Sequence, residues 1–265
     1  MTFKSIGKCF WTFMLVCGTS FNVFAIDNPC SGLLNIVERP SNADSTCVVP
    51  FKQALLEAGY QYQQLSHSNG QQQNFPDTEL RIGLPASNEL TVLLPNYIHQ
   101  TMAPHYGNTA AVVGIKHEIG YNEHWIGSVE ALFTMPNGSS AFGSNGLGTT
   151  VNAIVGYTFN PKFNLTFMIG GSTLTESSLS GGQRYSSINP DVVFTYSPSE
   201  RLDWYGEVYG QSKTAPGASS GFDADAGVLF LILPNWEIDL EVGQRISGNL
   251  TGFAHYIGTG MSILF

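Results

Sequence analysis

The chain has 265 residues; 43% are apolar and only 12% charged, with 20 Asp and Glu against 11 Lys and Arg and a formal net charge of -9. That charged fraction is half of the roughly 25% usual in soluble domains, and the acidic balance argues against nucleic acid as a partner. No segment after the first residues is long and apolar enough for a membrane helix, which needs about 20 residues.

The amino terminus carries Lys4 and Lys8 with no acid nearby, then the apolar run 9–17, then Val23-Phe24-Ala25 with small residues where a peptidase requires them. The pattern predicts a secretory signal peptide over 1–25. The run is too short to anchor the chain in a bilayer, and the bulky Val16 before Cys17 argues against a lipoprotein. Cleavage removes two lysines and no acid, so the mature chain is still more acidic.

Residues 26–50 form a leader. Cys9 and Cys17 depart with the signal peptide, leaving Cys30 and Cys47 in an oxidising compartment, where one disulfide is expected. It closes a loop of roughly 18 residues, worth on the order of 3 kcal/mol in the chain-entropy view. The plainer reading is a staple on a loose leader; the sharper one is a small plug folded into a lumen. Two cysteines without a nearby His pair are poor evidence for metal, and no cofactor is expected.

Residues 51–265 read as twelve alternating segments: 52–64, 74–84, 89–96, 109–121, 125–136, 148–159, 163–173, 185–196, 201–211, 221–233, 236–246 and 253–265. One face of each is apolar, as in Val129, Ala131, Phe133, Met135 or Trp236, Ile238, Leu240, Val242; the other is polar or small, as in Ser128, Glu130, Thr134 or Glu237, Asp239, Glu241, Gly243. Dyads of about 10 residues, even in number, predict an all-β antiparallel transmembrane barrel of the bacterial outer-membrane type. The connections alternate between short turns (85–88, 122–124, 160–162, 197–200, 234–235) and longer loops (65–73, 96–108, 137–147, 174–184, 212–220, 248–252), as barrel topology requires. Tyr97, Trp125, Phe159, Trp204 and Trp236 fit interfacial girdles. The last strand stops on Phe265 and looks like an assembly signal for the barrel-assembly machinery of Gram-negative bacteria. His117 falls on the lipid-facing side and reads as a neutral His with a local hydrogen bond or as a slip of register, with a functional role the less favoured reading; His255 lies nearer the long-loop rim.

The leader and first hairpin carry a family resemblance. Glu38-Arg39-Pro40-Ser41, Cys47-Val48-Val49-Pro50 and Ala54-Leu55-Leu56-Glu57-Ala58-Gly59-Tyr60-Gln61-Tyr62 resemble the opening of the MetA-pathway-of-phenol-degradation family of outer-membrane barrels. Glu79-Leu80-Arg81-Ile82-Gly83-Leu84, Glu89-Leu90 and the closing Gly258-Thr259-Gly260-Met261-Ser262-Ile263-Leu264-Phe265 fit as well. The turn Pro85-Ala86-Ser87-Asn88 departs from the Thr-Asp turn of that pattern. The resemblance implies a barrel with a transport role in the outer membrane and leaves the solute unspecified.

Inward charges are the candidate site. Hairpin arithmetic pairs Glu57 with Arg81, Lys116 with Glu130, and Asp225 with Arg245; the bland reading is structural pairs filling the bore. Asp191, Asp203, Glu207, Glu237, Asp239 and Glu241 are left as an acidic wall on strands eight to eleven. Bare carboxylates in a dry core are disfavoured, so that wall is expected to be wet and to attract cations. Passive, cation-preferring diffusion of an unidentified small solute is therefore the expected function, with a filled structural or adhesive barrel as the alternative. An outer-membrane lipid hydrolase is less favoured, and no enzyme is expected: in Leu65-Ser66-His67-Ser68-Asn69-Gly70 the His adjoins both serines, and neighbours in a strand point to opposite faces. The expected partners are the lipid bilayer and the assembly machinery.

Overall fold

A computed structural model describes residues 28–66, 70–250 and 252–265. The signal peptide and the residues His67, Ser68 and Asn69 lie outside the described residues. Fourteen strands follow a short leader: β1 Ala54–Leu65, β2 Gln71–Leu84, β3 Asn88–Leu93, β4 Tyr97–Gln100, β5 Tyr106–Asn108, β6 Val112–Tyr121, β7 Trp125–Thr134, β8 Gly148–Asn160, β9 Phe163–Thr175, β10 Arg184–Ser199, β11 Leu202–Gln211, β12 Gly221–Leu233, β13 Trp236–Ser247 and β14 Phe253–Leu264. All pairings are antiparallel and join strands consecutive in sequence, except that β3 pairs with β6 and β4 with β2; β1 pairs with both β2 and β14, which closes the sheet. The barrel has twelve staves, because β3 and β4 run one after the other along β2, and β5 leads into β6.

The break between β3 and β4 falls at Leu94-Pro95-Asn96. Proline cannot donate to a ladder, so the third stave stops there and resumes as the short hairpin β4–β5. The segment read as one long loop over 96–108 thus contains two strands. A second proline, Pro76, sits where the β1–β2 register slips, with Gly59 opposite Asp77 but Gln61 opposite Asn74. The turn 85–88 holds Ala86 and Ser87 at φ 59° and 53°. Non-glycine residues are disfavoured in this left-handed region, and the Asn88 amide holds the turn by donating to the carbonyls of Pro85 (2.8 Å) and Ala86 (3.0 Å).

Alternation has sorted the residues as expected of a barrel in lipid. Val129, Phe133, Ile238, Leu240, Val242, Ile257 and Met261 are exposed on the outside, while Glu57, Arg81, Lys116 and Glu237 are fully buried inside. At the short-turn end, Trp125, Tyr157 and Phe159 pack in a row, with ring centroids 4.5 and 4.8 Å apart, and Phe163 stacks on Tyr196 at 4.9 Å. This is the amphipathic belt of a membrane interface. His117 is exposed on the outer face, with Nδ1 3.1 Å from Asn88 Oδ1, so its polar ring is satisfied beside the turn.

The leader does not trail from the barrel. Leu33, Ile36 and Val49 are each 1% exposed, and with Val37, Ala43 and Cys47 they pack against the inward side chains of Leu55, Ile126, Ile154, Met168, Val193, Tyr205 and Leu229. A single helical turn, α1 (Leu33–Ile36), lies in this core. Cys30 and Cys47 are joined, with Cα atoms 5.4 Å apart. The leader enters β1 across Gly83: Gly83 N donates to Gln53 O (3.0 Å), and a Cβ at Gly83 would overlap the carbonyl of Pro50.

Candidate solute path through the lumen

The lumenal segment is held by the charges of the wall, in two groups. The first gathers around Arg81, which is 0% exposed. Its guanidinium lies 3.1 Å from Glu38, 3.5 Å from Glu57 and 2.8 Å from Glu89, and it donates to the carbonyls of Ile36 and Cys47. Lys116 contacts Glu38 and lies 3.7 Å from Glu89 and 4.0 Å from Glu130. Glu57 Oε1 accepts the amides of Glu38 (3.0 Å) and Arg39 (3.2 Å), and Glu89 Oε2 accepts that of Val49. A buried cation with several carboxylates and carbonyls in reach is stable where an isolated one is not. Burial nevertheless pushes the Glu38 carboxyl from 4.5 up to about 7, with Arg81 and Lys116 opposing only in part. Asp44 is likewise raised, first by burial and then by the nearby Glu130.

The second group surrounds Arg39. Its side chain reaches across the bore to Asp239 (3.3 Å), Asp77 (3.2 Å) and Glu241 (3.7 Å). Burial works against this charge, but Asp239, Asp77 and Glu241 outweigh it and hold the guanidinium above its ordinary pKa. Room for it is made by two cross-strand glycines, Gly59 and Gly260, which are paired in the β1–β14 ladder. A Cβ on either would overlap the guanidinium. Beyond Arg39 the segment continues along the wall. The amides of Asn42 and Ala43 donate to the two oxygens of Glu207 (2.8 and 2.7 Å), and the Asn42 side chain donates to Asp191 (2.8 Å).

These contacts locate each residue singled out from sequence. Glu57 and Arg81 meet, as do Lys116 and Glu130. Asp225 and Arg245 do not face one another: a register slip near the 234–235 turn puts Asp223 opposite Arg245 and Gly243 opposite Asp225. Asp225 instead accepts the Tyr256 hydroxyl at 2.8 Å. The acidic wall is not bare. Asp191, Glu207, Asp239 and Glu241 face Arg39 and the amides of the lumenal segment, which hairpin arithmetic on strands alone could not supply. Glu237 is 0% exposed, and neither of its oxygens accepts a hydrogen bond among the described residues. Asp203 lies lower, near the short-turn end, and is 7% exposed. Ser66 is engaged at the rim, its hydroxyl 2.6 Å from Asn249 Oδ1 and 2.9 Å from the Gly252 carbonyl, either of which can accept its one proton.

Two cavities flank the lumenal segment. An inner one of about 290 Å³ reaches toward the turns that contain Asn160, Lys162 and Ser197. An outer one of about 300 Å³ rises toward Gln63 and Phe253, near the long loops. Both are lined by Arg39, Pro40, Ser41 and Asp44, so one stretch of chain separates them.

Residues 107–262, more than half of the chain, match the family described as Putative MetA-pathway of phenol degradation. The chain belongs to this family. Comparison with curated proteins gives no match. Among solved structures, the phenol-degradation-family barrel described here is similar to an outer membrane channel from Pseudomonas putida F1, with a TM-score of 0.68 and 11% identity over 85% of this chain and 100% of that one. It is also similar to the KdgM porin (TM-score 0.56, 9% identity, 80% and 99% covered) and the NanC porin (0.53, 12%, 79% and 98%). At such identities the likeness is one of fold. The phenol-degradation-family chain is a β-barrel of twelve staves with the fold of outer-membrane barrels, and the similar structures are channels and porins.

Proposed function

We propose that this barrel is a passive, cation-preferring outer-membrane channel for small solutes and that its lumenal segment is a plug. The observation that carries the reading is the pair of cavities. The bore is open on both sides of the segment and is interrupted where Arg39, Pro40, Ser41 and Asp44 cross it. A purely structural barrel has no need of aligned spaces at both ends. The wall beside the crossing is acidic: Asp191, Glu207, Glu237, Asp239 and Glu241 all point inward. Once the plug moves, these carboxylates face water between low-dielectric walls, which concentrates cations and repels anions. No energy source enters this account.

The test is the reversal potential in a planar bilayer under a salt gradient. Replacing Glu237, Asp239 and Glu241 together by Gln, Asn and Gln should shift the reversal potential toward zero, most clearly at low salt, where screening is weakest. An unchanged reversal potential at low salt would remove these residues from the conduction path. A filled structural barrel is the second reading, favoured by the apolar packing of Leu33, Ile36 and Val49 against the wall.

A further inference from the structure

We infer that the outer cavity is a binding site for a small organic cation, a substituted ammonium group carried on a short hydrocarbon or hydroxyalkyl body. The inference rests on reading the lumen as a cation path, and it names a class of solute that the path would take up. Three separate features of the cavity point to it.

The first is a charge imbalance. The cavity is lined by Asp44, Asp77, Glu79, Asp225 and Glu241, beside Glu38, which Arg81 and Lys116 already hold, and Arg39 is the one base among its lining residues. That base is already spread over Asp239, Asp77 and Glu241. The second is an orphaned acceptor. Asp225 is 7% exposed, yet its Oδ1 accepts no hydrogen bond among the described residues. The Tyr256 hydroxyl has one proton and stands 2.8 Å from Asp225 and 3.2 Å from Glu241, so it can satisfy only one of them fully. Across the ladder from Asp225 stands Glu207, another acid. Buried polar atoms are almost always paired, and an exception points to a missing partner. A cationic donor aimed between these acids would supply the missing hydrogen bond and offset their charge together.

The third feature selects an organic cation over a metal ion. Tyr209 (5% exposed), Tyr256 (6%) and Phe253 (2%) line the same space. Phe253 and Tyr256 meet edge to face, with centroids 4.8 Å apart. The Tyr256 ring occupies the space beside Gly243, its cross-strand partner, where a Cβ would collide with it. A metal ion would need carboxylate and carbonyl oxygens on all sides. Aromatic rings next to carboxylates instead suit a cation with a carbon surface, held by charge on one side and by the ring quadrupole on the other. At about 300 Å³ the space is at the lower end of small-molecule sites, so it fits a compact solute.

Choline serves as the probe, with dimethylbutanol as its neutral isostere, in which carbon replaces the charged nitrogen. Binding is measured by calorimetry on the full mature barrel in detergent, with heat-modifiable gel mobility as the check of folding. Saturable choline binding is expected, with none for dimethylbutanol. Asp225→Asn should weaken choline at least tenfold. Tyr209→Leu, which leaves every charge in place, should weaken it several-fold and keeps the site testable if Asp225→Asn fails to fold. Equal binding of the neutral isostere would overturn the inference. So would displacement of choline by calcium at equimolar concentration, which would mark an inorganic-cation site, and so would choline binding that neither substitution alters. A barrel that binds choline but passes no current would remove the channel and leave this site; a conducting barrel that does not bind choline would do the reverse.

Discussion

Arg81 shows how much one side chain in this lumen carries. It is fully buried, it touches three carboxylates from three stretches of chain, and it donates to two carbonyls of the lumenal segment. Replacing it with an apolar residue of similar length leaves Lys116 as the base beside Glu38 and Glu89, and leaves Glu57 with backbone amides but without its guanidinium. Breaking such a buried network costs about 3–5 kcal/mol. Arg81→Met is therefore expected to speed hydrogen exchange in residues 28–53 by on the order of a hundredfold or more, while the strands of β7–β12 keep their protection. Unchanged exchange in the segment would mean that Arg81 does not hold it. At the seam of the barrel, Phe265 exchanges backbone hydrogen bonds with Ala54 (2.8 and 3.2 Å) and leaves its ring 68% exposed. That free ring suits the role of assembly signal. Phe265→Asp should lower the amount of heat-modifiable barrel in outer-membrane fractions; normal levels would count against the signal.

At the scale of the element, the lumenal segment is the part with most to explain. Its acids give it a pH response. When the segment is free in water Glu38 titrates near 4.5, and when docked near 7, because burial raises it; Asp44 moves in the same direction. The docked state thus binds the proton more tightly, so docking is strongest below about 4.5 and weakens as pH rises to about 7, then levels off. Exchange protection of residues 28–53, corrected for the intrinsic rate, should fall between pH 5 and pH 7.5, and Asp44→Asn should reduce that fall. Constant protection over this range would contradict the assignment. The segment's docking was only partly legible in the sequence. The cysteine spacing allowed either a loose leader or a plug, and the decisive signal lay elsewhere. Leu55, Ile126, Ile154, Met168, Val193 and Leu229 occupy the inward phase of their strands although they are apolar. An apolar stripe inside a water-filled bore requires a partner, and the leader supplies it with Leu33, Ile36 and Val49. The hairpin β4–β5 was illegible for a different reason: strands of four and three residues are too short to show a period. A count from the Leu233–Trp236 pair puts Gln244 opposite Asp225, and the irregular pairing between Leu231 and Leu233 moves that partner to Gly243, so Arg245 falls opposite Asp223.

On the scale of the whole molecule, the architecture was the most legible feature. Alternating dyads and alternating turn lengths repeat around the barrel, so an error in one strand does not propagate: the twelve staves follow the twelve segments in order, and the third and fourth run on into the β4–β5 hairpin that reads as loop in the sequence. The family match and the structural neighbours agree with that architecture. What the pattern could not contain is the interaction between the leader and the wall. Those contacts join residues as distant in sequence as Arg39 and Asp239, and they convert a wall of bare acids into a docking surface. Displacement of the segment, as proposed, would exchange its amides and guanidinium for water or solute and would also expose the apolar contacts of Leu33, Ile36 and Val49. The most direct test is single-channel conductance of the mature chain against a chain lacking residues 28–50. The account predicts a low or intermittent current in the first and a several-fold larger, cation-preferring current in the second. Equal conductance in the two, or no current once the segment is gone, would contradict it.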